Sequence, residues 1–97
     1  MNWQPYDPEW LIDLARAQRP QRTDIIEALR RCTRADHESP AYAHFVDPRR
    51  ANKPGAEWQF AENISLEDPV EGHIVLDVLR DGSIGGVEIV SRIQLTE

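Results

Sequence analysis

The chain has 97 residues, 40% of them apolar and 29% charged, which describes one domain spanning residues 1–97, since two cores would each fall below about 50 residues. A single cysteine, Cys32, excludes an internal disulfide, residues 74–76 form the longest strongly aliphatic run against the roughly 20 residues of a membrane helix, and residues 1–7 lack the features of a signal peptide, so a cytoplasmic protein with no membrane partner is expected. The net charge of −6 is uneven: residues 1–53 carry nine Arg/Lys against eight acids, and residues 54–97 carry two Arg against nine acids, which argues that the C-terminal half faces a basic partner or water.

Asp7-Pro8-Glu9-Trp10 is a helix start. Asp7 can accept from free N–H groups of the first turn, Pro8 suits the first helical position, and Glu9 favours the positive end of the dipole. The spacing predicts a helix over residues 8–18 with Trp10, Leu11, Leu14 and Ala15 on its inner face, a staple between Tyr6 and Leu11, and an end at Pro20. A second helix is expected from an N-cap at Thr23, with Asp24 and Glu27 in its first turn and Arg30, Arg31 and Arg34 in its last. Ile25, Ala28, Leu29 and Cys32 fall on one stripe, so Cys32 reads as a small core residue with no partner for nucleophilic or metal work.

From Pro40 the period changes to alternation. Tyr42, His44 and Val46 share one face of a strand closed by Asp47-Pro48, residues 49–55 read as a polar loop, and Trp58, Phe60 and Ile64 share a face of the next strand. Residues 73–80 place Ile74, Leu76 and Val78 on one side and Val75, Asp77 and Leu79 on the other. Asp81-Gly82-Ser83 turns them into a last strand over residues 84–93, where Gly85-Gly86 marks a bulge or a close backbone approach. The expected fold is α+β, with two N-terminal helices packed on a four-stranded, mainly antiparallel sheet that ends in a β-hairpin and keeps one face free.

Chemistry is sparse. His37, His44 and His73 lie apart without paired Cys/His spacing, so no metal is expected. Ser39, Ser65, Ser83 and Ser91 lack a nucleophile-elbow context and Gly85-Gly86 lacks phosphate-loop spacing, so neither catalytic residues nor a cofactor are expected. Asp36-His37-Glu38 reads as a polar helix-to-strand connection. A small hydrolase or transferase would have to use Asp36, His37 or His44 within reach of one substrate. A nucleic-acid-binding regulator or antitoxin would use Arg30, Arg31, Arg34, Arg49, Arg50 and Lys53, but the sequence pI near 5.0 argues against direct nucleic-acid contact. Trp10 and Trp58 are expected in the core, Trp3 and Tyr6 against the fold or at an interface.

The segment Gly55-Ala56-Glu57-Trp58-Gln59-Phe60, then Glu62-Asn63-Ile64, Leu66-Glu67-Asp68-Pro69 and the hairpin from Gly72 to Ile89, resembles immunity proteins of bacterial contact-dependent growth inhibition systems. It covers about the C-terminal half, and the hairpin alone is similar to a widespread small domain of unknown function. The resemblance implies a cytoplasmic, non-enzymatic protein that binds the C-terminal domain of one cognate toxin, as a monomer or in a 1:1 complex. Such toxins are commonly nucleases, including enzymes that cut tRNA, and their grooves are basic because phosphates are polyanionic. Charge and placement make Glu62, Glu67, Asp68, Glu71, Asp77, Asp81 and Glu88 the expected toxin-binding residues.

Overall fold

Asp7 opens the first helix as its sequence requires, its Oδ1 accepting the Glu9 N–H at 3.0 Å. In the computed structural model, which describes residues 1–94, helix α1 runs Glu9–Gln18, with Pro8 at the N-cap and not in the first turn. Leu11, Ile12 and Ala15 form its buried stripe while Trp10 and Leu14 are half-buried, so the helix is rotated from the expected face. Tyr6 draws Trp10 aside: the indole Nε1–H donates to Tyr6 Oη at 3.0 Å, and the Tyr6 ring meets Phe45 edge-on at 4.9 Å, in place of a staple to Leu11. Helix α2, Thr23–Arg30, begins at Thr23 with Arg22 at its N-cap and no side-chain cap. Arg22 instead ties the helix start to Asp24 at 3.1 Å and to Glu62 at 3.0 Å. Ile25, Ala28, Leu29 and Cys32 are all buried as the spacing requires, joined by Ile26. The helix ends at Arg30, so Arg31 only caps it and Arg34 belongs to a strand.

The sheet has six strands where the sequence suggested four: β1 Gln4–Pro5, β2 Arg34–Ser39, β3 Tyr42–His44, β4 Phe60–Asp68, β5 Gly72–Leu79 and β6 Ile84–Ile89. Their order is β1-β2-β3-β6-β5-β4, and every pair is antiparallel. Asp36-His37-Glu38 therefore lies within a strand and is no connection. Only Ala35 of β2 is buried, so the strand shows no alternation of apolar residues that could announce it. Val46 falls beyond β3, Trp58 precedes β4, and β6 stops at Ile89 before a 3-10 turn at Val90–Arg92.

The β5–β6 hairpin forms as expected. Asp77 opposes Gly86 while Val78 opposes Ile84, so Gly85 is the extra residue of a bulge. Both helices cover one face of the sheet, against Ile64 and Leu66 of β4, Ile74, Leu76 and Val78 of β5, and Ile84 and Val87 of β6. The nine-residue edge strand β4 is shielded from the side. Gln18 at the end of α1 accepts from the Glu67 N–H and donates to the Glu67 carbonyl, each at 2.7 Å, and Arg19 donates to the Ser65 carbonyl at 2.9 Å. These side chains occupy backbone groups that would otherwise be free to pair with another strand. Among the described residues, no helix is long and apolar enough to cross a membrane.

Candidate functional site

The other face of the sheet carries no helix. Tyr42 and His44 leave β3 on that side, opposite Glu88 and Gly86 of β6, and Asp77 of β5 lies opposite Gly86. The two glycines make room for two aromatic rings. A Cβ on Gly85 would come 2.7 Å from the Trp58 ring, and one on Gly86 would come 2.5 Å from Tyr42 Oη and 2.7 Å from the Ala43 carbonyl. Trp58, carried across by the loop between β3 and β4, is buried as expected but on the face away from the helices, against His44 with ring centroids 5.7 Å apart.

Tyr42 Oη donates to the Asp77 carboxylate. Burial raises the phenol above its ordinary pKa, and the bond to Asp77 and the negative charges of Asp77, Glu88 and Glu38 push the same way. Glu38, on β2, was missed as a site residue because its strand was missed. It also lies 3.6 Å from Nε2 of His44. His44 is only 8% exposed, and among the described residues its Nδ1 has no hydrogen-bond partner. Across the open-face positions of β3, β6, β5 and β4 there is no Lys or Arg. The surface that results is acidic and aromatic, with glycine backbone as its floor.

The seven acids expected to bind a partner do not form one patch. Glu67, Asp77 and Glu88 are on the open face, with Glu67 Oε1 2.8 Å from Nδ1 of His73. Glu62 is held on the helix side by Arg22. Asp68 Oδ2 accepts the N–H groups of Val70 and Glu71 at 2.9 and 2.7 Å in the β4–β5 turn, and Glu71 takes both arms of the Arg92 guanidinium. Asp81, at the opposite end of β5, accepts from the Ser83 N–H at 2.9 Å and from its hydroxyl, which hold its carboxyl below the usual range. Among the described residues, only Glu88 of the seven makes neither a side-chain hydrogen bond nor an ion pair.

Where β2 turns into β3, the helices leave the sheet uncovered and a cleft of about 490 Å³ opens, between Tyr6 and Trp10 on one wall and the small side chains of Ala41 and Ala43 on the other. Asp68 and Glu71 reach its rim from the β4–β5 turn. A second hollow of about 320 Å³ shares Ser39, Pro40, Ala41, Tyr42 and Arg92 with it and reaches Glu38 and Glu88. The two together wrap the end of the sheet from the helix side to the acidic face.

The residues of the rival readings are dispersed. Asp36 pairs across the strands with His44, whereas His37 is opposite Ala43 and faces Tyr6 on the helix side, ring centroids 6.1 Å apart; neither Asp36 nor His44 lines the cleft that His37 enters. Arg30 and Arg49 are paired with Glu27 and Asp47, and Arg34 lies over the Trp3 ring at 4.9 Å. Cys32 is buried, which pushes its thiol up to about 12. Comparison of the chain with family models, with curated proteins and with solved structures gives no match.

Proposed function

We propose that this chain is an immunity protein of the contact-dependent growth inhibition type, which binds the toxic C-terminal domain of one cognate toxin and catalyses nothing itself. The observation that supports this most is the helix-free sheet face on which Glu38, Asp77 and Glu88 surround Tyr42 and whose positions on β3, β6, β5 and β4 carry no Lys or Arg. An acidic surface with a fixed aromatic suits a basic protein groove, where its carboxylates compete with nucleic-acid phosphates and speed encounter. A nuclease, including one that cuts tRNA, presents such a groove. Asp77 is held by Tyr42, so part of this charge is pre-ordered and loses little side-chain freedom on binding. In this reading the protein acts in the cytoplasm of the toxin-producing cell and covers the toxin's active site or substrate path.

The test is co-expression with the product of the gene immediately upstream in its own genome. Killing by that product alone, relief by this chain, co-purification of the two, and weakened relief by the E38Q/E88Q pair are expected. A product that neither binds nor kills overturns the reading.

A further inference from the structure

The groove round the end of the sheet has two halves. In the helix-side half Ala41 and Ala43 leave space that larger residues would fill, Tyr6 and Trp10 supply aromatic lining, and His37, Asp68 and Glu71 add polar groups. Its volume of about 490 Å³ lies within the range of about 300–1,000 Å³ in which proteins hold small ligands and side-chain anchors. Its other half is acidic: Glu38 and Glu88 line it, and Glu88 has no partner of its own among the described residues. The one cation shared by both halves, Arg92, is neutralised by Glu71. The groove thus offers an aromatic-lined socket beside Glu38 and the unpaired carboxylate of Glu88.

We infer that this groove takes a short segment of a partner protein in which a bulky aromatic residue fills the socket between Trp10 and Ala41 while a nearby arginine or lysine engages Glu38 and Glu88. The inference rests on the open face being a protein-binding surface and adds the kind of epitope it recognises. An aromatic anchor in a pocket carries a disproportionate share of binding energy. A guanidinium finds two carboxylates and the Tyr42 ring within one short stretch of surface. The socket lies on the helix side and the acids lie round the corner. A partner must therefore grip the end of the sheet as well as lie on its face, which narrows the set of basic proteins it can accept.

The experiment uses the purified chain and short blocked peptides, with no toxin present. Amide resonances are followed by NMR as the acetylated, amidated peptide Trp-Gly-Arg is added, with Ala-Gly-Arg and Trp-Gly-Glu as controls. Saturable shifts at Ala41, Ala43 and Val87 together with Glu38, Tyr42 and Glu88 are expected for the first peptide, and binding roughly threefold to tenfold weaker for each control. E38Q/E88Q should remove the preference for arginine, and Ala41→Leu, which fills the socket, should remove the preference for tryptophan. If Ala41→Leu fails to fold, the surface pair still decides the charge and the Ala-Gly-Arg control decides the anchor. Equal binding of all three peptides, no binding, or shifts away from the groove overturns the inference. Peptide binding without protection in the growth assay would overturn the immunity reading alone. Protection with no peptide preference would overturn this inference alone.

Discussion

Gly86 shows how a side chain that is absent shapes the site. It has no open space above it: an added methyl would meet Tyr42 Oη at 2.5 Å and the Ala43 carbonyl at 2.7 Å, and the carbonyl cannot rotate away as a side chain can. Gly86→Ala should therefore lower stability to urea by about 1–3 kcal/mol and disturb the Tyr42–Asp77 bond, visible as altered near-UV circular dichroism. An unchanged midpoint and spectrum would refute the close packing. Cys32 carries a second residue-scale prediction. Its thiol is held neutral by burial, with a pKa raised from 9.0 to about 12, so the unfolded chain releases this proton first as pH rises. The contribution is whole below pH 9 and is lost between pH 9 and 12. Tyr6 and Tyr42, both raised above their ordinary 10.0 mainly by burial, act in the same direction from about pH 10 upward. Urea midpoints should fall across this alkaline window, and iodoacetamide at pH 8 should label Cys32 only after denaturation. Rapid labelling of the native protein would contradict its burial.

At the scale of elements, the edge strand matters most. A nine-residue edge invites pairing with another chain, and here α1 answers it with Gln18, whose side-chain amide mimics a neighbouring strand at Glu67, and with Arg19 at Ser65. The paired substitutions Gln18→Ala and Arg19→Ala should expose these backbone groups and promote self-association, seen as a concentration-dependent rise in sedimentation coefficient relative to the parent chain. Identical sedimentation of the two proteins would mean that the helix side chains do not guard the edge. The same contact explains why the C-terminus of α1 sits where it does. The helix is anchored to the sheet by polar bonds at its end as well as by Leu11, Ile12 and Ala15 along its length.

For the whole molecule, the layers and the charge act together. Two helices cover one face and leave the other without a helix. Of the acids in the C-terminal half, Glu67, Asp77 and Glu88 fall on that helix-free face, Asp68, Glu71 and Asp81 lie at the ends of β5, and Glu62 is on the helix side. If the open face steers a basic partner, raising salt from 50 to 500 mM should slow association far more than it speeds dissociation, because the Debye length shrinks from roughly 14 to 4 Å over that range. Stopped-flow binding to the cognate toxin domain would read this directly. A salt-independent association rate would show that charge does not drive the encounter.

The sequence by itself was enough for both helices, the buried stripe of α2, the β5–β6 hairpin, the glycine bulge and helices confined to one face of the sheet. Each is written in local spacing, since helical and strand periods bring near neighbours to one side of an element. Where tertiary contacts compete, local spacing lost: Tyr6 turned Trp10 off the inner face, and Trp58 went to the far side of the sheet. The two-residue edge strand β1 and its neighbour β2 could not be read at all, because their place comes from pairing and not from apolar alternation. The fate of the acids was likewise decided in three dimensions. Glu62 meets Arg22 across 40 positions, Asp77 meets Tyr42 across 35, and Glu71 meets Arg92 across 21. Composition shows how many carboxylates a chain has, but only the folded chain determines which are bound within the molecule and which, like Glu88, have no partner among the described residues.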